Sequence, residues 1–575
     1  MMNKNLEIPA KAKRAFLPEF FVIDSWEKLL PYFEDLKNRE IQSTESLEKW
    51  LKDKSELEAI LEEDLAWRYI KMNIDTNDKD LAERFTFFVS EIEPKTAPWF
   101  NDFNKMLVEN KFTNQLKDPA YQIYLKQVQK SIDIFREENI PLKAELQQME
   151  QEFGAITGNI LIQFDGKELT LPQASIYLKN KDRKIREEVY HLIGEKRLAV
   201  SQQLDELLDK LISLRQQIAT NAGYENFRDY KFDEMCRFDY TKSDCFNFHN
   251  AIQEELIQIL SENDLEKKSL MQLQSLKPWD TQADVLGREP LKPFNSGEEL
   301  LNKTIEMFYA IDSYFGDCLA IMQKMGHLDL ESKKGKAPGG FNYPLYESGA
   351  PFIYMNSVGT VRDLVTLIHE GGHAVHSFLS HPLSLTAFKN LTPEIAEVAS
   401  MSMELITLDY WDIIFSNKEE LKRAKKEHLE DILSTLPWVA TIDKFQHWLY
   451  ENKNHTVAER TEAWNKIYND FSSTVVDWSG LENLKSIVWQ KQLHIYEVPF
   501  YYIEYGMAQL AAIAIWRNFK TDKEKAIQQY KAALTLGYTR SIPEIYETAG
   551  IQFNFSKEYI HELAEFVKAE LKALG

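Results

Sequence analysis

Hydrophobic residues recur at three- and four-residue intervals along most of the chain, and this period predicts α-helices. The stretch from about residue 26 to residue 153 is rich in Leu, Glu, Lys and Phe and poor in glycine. Helical periodicity resumes near Leu178, and a strong apolar face runs from Leu204 to Ala222, where Gly223 is placed to end the helix in a left-handed conformation. The pattern predicts a mostly α-helical protein.

Two stretches interrupt the helical pattern. Residues 160–164 and 169–171 are apolar and flank Asp165–Gly166, which predicts a hairpin with a tight turn. Further on, a turn-rich segment beginning at Gly335 leads into the apolar run 350–356, which predicts a small antiparallel sheet. We expect the strand at 350–356 to pair with an extended peptide, as strands at a sheet edge do.

No linker rich in Pro, Gly or Ser separates these blocks. We therefore predict an amino-terminal helical region over residues 1–200, including the hairpin near 160–171, packed directly on a domain that spans residues 201–575.

Charge and composition exclude some classes of function. Lys and Arg total 68 against 90 Asp and Glu, so the net charge is −22, which disfavours a surface that follows nucleic-acid phosphates. The segment 1–21 does not form a secretory signal, and no apolar run is long enough to cross a membrane. The three cysteines have no paired short spacing and are typical of reduced thiols. We predict a cytoplasmic protein that binds neither nucleic acid nor membrane.

The candidate chemistry lies in the segment His369-Glu370-Gly371-Gly372-His373. Two histidines four residues apart lie on one face of a helix, and this spacing suits two ligands of a tetrahedral zinc ion. Glu370 remains available to act on a bound water. The alternative is a buried helix whose histidines bind only neighbouring side chains. The apolar residues around the motif favour burial, and buried histidines need a partner, which a metal supplies.

Zinc needs a third protein ligand. His376 shares the face of His369, but it lies about 10 Å along the helix from it, compared with about 6 Å for His373, so a role in packing is more plausible than coordination.

Better candidates lie on the next predicted helix, which begins at Pro393. Glu397 and Glu404 are seven residues apart and face the same way, and small residues between them allow another helix to approach closely. One carboxylate is expected to complete the metal site and the other to hold a histidine ring from behind, and the residue pattern does not decide which does which. Asp363 is a weaker candidate for holding a ring.

The run His-Glu-x-Gly-His-x-x-His, followed by Glu397-Val398-Ala399-Ser400, resembles the thimet oligopeptidase and oligoendopeptidase F family of zinc peptidases. The segments 276–280 and 335–340 resemble the oligoendopeptidase F branch in particular. The resemblance covers about residue 200 to the carboxyl terminus. It implies that Glu397 is the third metal ligand and that residues 201–575 form a zinc peptidase catalytic domain, with the metal site at 369–404.

A tyrosine-rich segment near the carboxyl terminus also resembles the family. On composition alone its rings would be core packing, but the resemblance implies that a histidine and tyrosines here face the substrate carbonyl. The matching residues are His494, Tyr501 and Tyr505. Tyr501 and Tyr505 are four residues apart and are expected to share a helical face, with Tyr502 pointing elsewhere.

The resemblance implies a two-lobed helical peptidase with a deep substrate channel and one zinc ion per chain. The expected activity is cleavage of internal bonds in short, unfolded peptides, with Glu370 as the base that takes a proton from the attacking water. Two alternatives remain: a carboxypeptidase or dipeptidyl-carboxypeptidase that uses the same zinc site, and a catalytically silent peptide-binding protein. The sequence carries no indication of oligomeric state.

Overall fold

The computed structural model describes residues 6–9, 11, 13–337 and 339–575. The described residues form 23 α-helices and five short strands. The first twelve helices are α1 Trp26–Asn38, α2 Thr44–Ile74, α3 Lys79–Phe87, α4 Glu93–Glu109, α5 Pro119–Ile134, α6 Asn139–Gly158, α7 Leu171–Ser175, α8 Arg183–Asn221, α9 Phe227–Glu234, α10 Lys242–Leu270, α11 Gly297–Ile311 and α12 Ser313–Met325. The others are α13 Val361–Ser380, α14 Thr386–Lys389, α15 Pro393–Ile406, α16 Lys418–Glu451, α17 Val457–Asp470, α18 Glu482–Lys485, α19 Leu493–Tyr496, α20 Ile503–Thr521, α21 Lys523–Thr535, α22 Ile542–Thr548 and α23 Lys557–Leu574. The strands are β1 Leu161–Phe164, β2 Lys167–Thr170, β3 Leu328–Glu331, β4 Phe341–Tyr343 and β5 Phe352–Ser357.

The mostly helical prediction is confirmed. The chain divides into two compact units, each built from three segments. Unit 1 comprises Met1–Phe135, Lys292–Lys425 and Ala508–Phe553, and unit 2 comprises Arg136–Leu291, Lys426–Met507 and Asn554–Gly575. The division at residue 200, the two lobes and the deep channel stay predictions.

The amino-terminal helices of unit 1 pack around aromatic side chains. Phe33 of α1 stacks on Phe103 of α4 with ring centroids 5.9 Å apart, and Trp50 of α2 meets Phe103 edge-on. All three side chains are fully buried. Ser43 caps α2 by accepting a hydrogen bond from the Ser46 N–H. This cluster packs α1, α2 and α4 against one another.

The sheet of unit 1 has the strand order β3-β5-β4. β4 pairs antiparallel to β5, as predicted, whereas β3 pairs parallel to it, so the sheet is mixed. The strand predicted over residues 350–356 is therefore the central strand, and its backbone is occupied on both sides. The expectation that this strand lies at an edge and pairs with a peptide was wrong. The continuous apolar run identified the strand but not its neighbours.

Unit 2 contains the predicted hairpin, in which β1 pairs antiparallel to β2. Asp165 and Gly166 have φ angles of 50° and 67°, which is the left-handed turn that two-residue hairpins favour. Helix α8 ends at Asn221, and Gly223 follows with a φ of 91°, as predicted from its position.

Two further predictions concern the segment at 335–340 and the possibility of a membrane-spanning helix. The turn-rich segment at 335–340 includes Pro338, which lies outside the described residues. None of the described helices is both long and apolar enough to cross a bilayer.

Candidate metal centre

Helix α13 carries the two histidines and has a well-defined start. The Thr360 side chain accepts a hydrogen bond from the Asp363 N–H, and the Asp363 carboxylate accepts from the N–H groups of Val358, Gly359 and Thr360. Asp363 therefore caps the helix. The suggestion that it holds a histidine ring was wrong, because its carboxylate faces the helix start instead.

His369 and His373 project from one face of α13, and their ring centroids are 4.9 Å apart. Glu397 of α15 meets both: its Oε2 lies 3.4 Å from His369 Nε2 and 3.8 Å from His373 Nε2. One donor atom from each residue lies within 4.8 Å of the other two. Two imidazole nitrogens and one carboxylate oxygen in this arrangement match the donor set of a catalytic zinc site. The three residues therefore fit the predicted metal.

The other carboxylate of α15 approaches His369 from behind. Glu404 Oε1 lies 2.7 Å from His369 Nδ1, which fixes the ring so that Nε2 points toward Glu397. Ser400 Oγ in turn donates a hydrogen bond of 3.2 Å to the Glu397 carboxylate. The residue pattern does not decide the roles of Glu397 and Glu404. In the structure, Glu397 faces Nε2 of the His369 ring and Glu404 faces Nδ1.

Glycine at position 372 allows α13 and α15 to approach closely. A Cβ atom at Gly372 would lie 2.6 Å from Ser400 Cα and 2.7 Å from the Ala399 carbonyl oxygen. Gly371 faces the other way, where a Cβ would lie 2.8 Å from the Phe308 ring. The motif thus places its two small residues where α13 has no space for a side chain.

Glu370 is almost fully buried, and burial raises its pKa to about 7. Its backbone carbonyl accepts a hydrogen bond of 3.1 Å from the Asn342 side chain of β4. A carboxyl group with a pKa near neutral can both accept and return a proton. This is the property that the predicted base requires.

The histidines of α13 differ in their electrostatics. Burial lowers the pKa of His373 to about 4 and that of His376 to about 3, so both rings are neutral near pH 7. Burial also opposes protonation of His369, but hydrogen bonds that the ring donates to the Glu397 and Glu404 carboxylates outweigh it and raise the pKa well above the usual range. His376 is fully buried and lies outside the donor group, in agreement with a packing role.

The tyrosine-rich segment belongs to unit 2. The His494 ring centroid lies 6.0 Å from that of Tyr501, 4.7 Å from Tyr502 and 5.7 Å from Tyr505. Tyr502 therefore joins the cluster, and the expectation that it points elsewhere was wrong. Helix α20 begins only at Ile503, so helical spacing does not apply to Tyr501 and Tyr502. The roles of His494, Tyr501 and Tyr505 stay predictions.

Comparison with models of known protein families shows which family the chain belongs to. The model for peptidase family M3 matches residues 176–565, well over half of the chain, and the model for the M3 N-terminal domain matches residues 20–135. The chain belongs to peptidase family M3. The members of this family are metallopeptidases, so the prediction of a metallopeptidase is confirmed at the level of the family.

Among curated relatives, an oligoendopeptidase F homolog of Mycoplasma pneumoniae is 24% identical over 85% of this M3 chain and 83% of its own length. An oligoendopeptidase F homolog of Borreliella burgdorferi is 24% identical over 64% of this chain. That alignment spans 62% of the Borreliella protein, which is less than two thirds of its length. These relatives confirm the resemblance to the oligoendopeptidase F branch.

Solved structures agree with this assignment. The structure described as PZ peptidase A with inhibitor 2 has a TM-score of 0.89 and 26% identity, and it covers 95% of this chain and 97% of its own. A structure described as a putative oligoendopeptidase F has a TM-score of 0.88 and 25% identity over 96% of this chain and 98% of its own. The M3 peptidase fold therefore extends over nearly the whole chain.

Sequence reasoning missed three residues of the metal centre. Asn342 holds the Glu370 backbone, Ser400 holds the Glu397 carboxylate, and Gly372 sets the spacing of the two helices. The residue pattern indicates Ser400 only as a small residue. A glycine in the middle of a helix is less stable than an alanine there. Its presence at position 372 could therefore have indicated a site where another helix approaches closely.

The first prediction concerns this packing. Gly372→Ala should destabilise the protein by about 1–3 kcal/mol and weaken metal binding, because the added methyl group must push α15 and Glu397 away. Unfolding in urea and metal content measure the two effects. The matched control is Gly154→Ala in α6, where a Cβ meets nothing within 4 Å. That change should be neutral or stabilising, by up to about 1 kcal/mol. Equal behaviour of the two variants would contradict the packing argument.

The second prediction concerns Glu404. Glu404→Ala should weaken metal affinity by roughly 10- to 100-fold, because the His369 ring loses the acceptor that orients it. Competition with a chromogenic chelator measures the affinity. Glu404→Gln keeps an oxygen acceptor for Nδ1 and should lose less. Unchanged affinity in the alanine variant would show that Glu404 does not orient the ring.

Proposed function

We propose that the chain is a zinc-dependent endopeptidase that hydrolyses internal bonds of short, unfolded peptides. The observation that carries this proposal is the meeting of His369, His373 and Glu397 within 4.8 Å, with Glu370 adjacent on the same helix. Bound zinc supplies a Lewis acid that polarises the scissile carbonyl and acidifies water.

The residues around the metal then have separate tasks. His369, His373 and Glu397 hold the ion, and Glu404 keeps the His369 ring in the tautomer that presents Nε2. Glu370 removes a proton from the attacking water and delivers it to the departing amine, a transfer that its pKa of about 7 suits. Asn342 keeps the Glu370 backbone in position.

The tetrahedral oxyanion needs hydrogen-bond donors besides the metal. We propose His494, Tyr501 and Tyr505 for this task. Their support is the family resemblance and the clustering of their rings, since the Tyr501 and Tyr505 centroids are 5.5 Å apart. A tyrosine hydroxyl and an imidazole N–H are both suitable donors to a developing negative charge.

A peptide substrate also needs a backbone partner. β4 is at the edge of the unit 1 sheet and pairs only with β5 among the described strands. It lies beside α13, because Asn342 of β4 donates to the Glu370 carbonyl. We propose that β4, rather than the central β5, adds an extended peptide as a further strand. This places the peptide backbone next to the helix that carries the histidines.

The names of the relatives support an oligopeptide substrate. The curated proteins are named as oligoendopeptidase F homologs, and one from Bacillus subtilis is named oligopeptidase PepF. An endopeptidase requires neither a free amino nor a free carboxyl terminus on its substrate. This independence from free termini separates an endopeptidase from a carboxypeptidase or a dipeptidyl-carboxypeptidase.

The third prediction tests the base. Glu370→Gln should bind the same amount of metal at this site as the unaltered protein, and its kcat/KM should fall by at least roughly 10²- to 10⁴-fold, since glutamine cannot accept the proton. Metal analysis and cleavage of a fluorogenic peptide measure the two quantities. Glu394→Gln in α15 is the matched control, because it alters another buried carboxyl group, 1% exposed, and should retain activity. Activity near that of the unaltered protein in Glu370→Gln would rule out the proposed mechanism.

The fourth prediction tests substrate class. A peptide of about ten residues, acetylated at its amino end and amidated at its carboxyl end, should be cut at an internal bond, and a chelator should abolish the cut. A folded protein containing the same sequence should remain intact. Mass spectrometry identifies the products. Cleavage only after the carboxyl end is unblocked would instead favour a carboxypeptidase.

A further inference from the structure

A second group of metal-donor side chains lies entirely within unit 2. It comprises Cys245 of α10 with Asp443 and His447 of α16. One donor atom from each residue lies within 4.8 Å of the other two, the same proximity that His369, His373 and Glu397 show. Unlike that first group, all three side chains are buried.

The spacing along both helices brings the donors together. Cys245 is followed four residues later by His249, and Asp443 is followed four residues later by His447, so each helix presents a pair on one face. His249 Nε2 lies 2.8 Å from Asp443 Oδ2, and His447 Nε2 lies 3.3 Å from the same oxygen. Three residues with metal-binding chemistry, Cys245, His249 and His447, thus converge on the Asp443 carboxylate.

Several polar atoms of the cluster lack a hydrogen bond within the described part of the chain. They are Nδ1 of His447, Nδ1 of His249 and Oδ1 of Asp443. Asp443 is 0% exposed and each histidine 1% exposed. Burying such groups without partners is costly, because each gives up its hydrogen bonds to water. A bound cation would satisfy a carboxylate oxygen and a ring nitrogen at once.

Aromatic rings enclose the cluster. The His447 ring centroid lies 4.9 Å from that of Phe246, 5.4 Å from Phe500 and 6.1 Å from Phe232. Among the described residues, the ion-pair partners of Asp443 are His249 and His447, with no Lys or Arg. A buried carboxylate requires a positive charge close by.

We propose that Cys245, Asp443 and His447 bind a second divalent transition-metal ion, and that His249 orients the Asp443 carboxylate. Thiolate, imidazole and carboxylate together favour zinc. One thiolate and one carboxylate balance the two positive charges of the ion, so the buried centre is neutral. On binding, the Cys245 thiol gives its proton to solvent and its sulfur takes the metal.

The site has a structural consequence. Gln446, next to His447, accepts a hydrogen bond of 2.8 Å from the Phe500 N–H. Phe500 also packs against His447 and has a φ of 66°, a left-handed conformation that a non-glycine residue adopts only under constraint. The second metal would therefore join α10 and α16 to the backbone immediately before Tyr501. Full burial gives it no open face for a substrate, so its role is structural.

The fifth prediction is that the purified protein contains two zinc ions per chain, not the one predicted from the sequence. Elemental analysis should give two for the unaltered protein, one for Cys245→Ser and one for His373→Ala. Cys318→Ser is the matched control, because it removes another buried thiol, 2% exposed, and should retain two. One ion in the unaltered protein and none in His373→Ala would overturn the proposal. One ion in both of these proteins, with none in Cys245→Ser, would support the second site while refuting the proposed active-site metal.

Cobalt provides a test that does not depend on the folding of the cysteine variant. Protein produced with cobalt in place of zinc should show thiolate-to-cobalt charge-transfer absorption in the near ultraviolet. The centre formed by His369, His373 and Glu397 contains no sulfur and cannot produce this band. The unaltered protein and His373→Ala should both show it, as should the variants Cys236→Ser and Cys318→Ser. Absence of the band from the unaltered protein and His373→Ala, both loaded with cobalt, would overturn the proposal.

Discussion

The candidate active site depends on how closely α13 and α15 approach each other. The Gly372 Cα faces the backbone of Ala399 and Ser400 across a gap that admits no methyl group. Glu397 and Glu404 lie on either side of this crossing, so the same approach brings one carboxylate to each nitrogen of the His369 ring. A larger separation would remove both interactions together. The metal centre is thus a consequence of helix packing as much as of ligand identity.

The close approach concentrates negative charge around two imidazoles. Glu397, Glu404 and Glu370 surround His369 and His373, and this arrangement favours a cation at the centre. Glu370 differs from the other two carboxylates because its side chain makes no ion pair among the described contacts, and burial raises its pKa to about 7. The same environment therefore favours a cation and places a buried carboxylate beside it.

The sequence predicted those features that depend on local periodicity. The pairing of His369 with His373 follows from helical spacing alone, and the hairpin at Asp165–Gly166 follows from turn chemistry. The division of roles between Glu397 and Glu404 depends on the register of two helices, which no local pattern encodes. Two predictions were wrong for the same reason: the edge position of the strand at 350–356 and the orientation of Tyr502. Strand order and the start of α20 at Ile503 are set by tertiary packing, which no local pattern encodes.

The two donor clusters share the same helical spacing but differ in their exposure to solvent. Both use side chains four residues apart on a helix, completed by a residue from a second helix. In the first cluster His369 and His373 are 21% and 20% exposed, so a substrate can reach a bound ion. In the second cluster Asp443 is fully buried, phenylalanine rings pack against His447, and a thiol takes the place of one imidazole. Exposure, rather than donor spacing, therefore separates a centre that can act on a peptide from one that can only stabilise the fold.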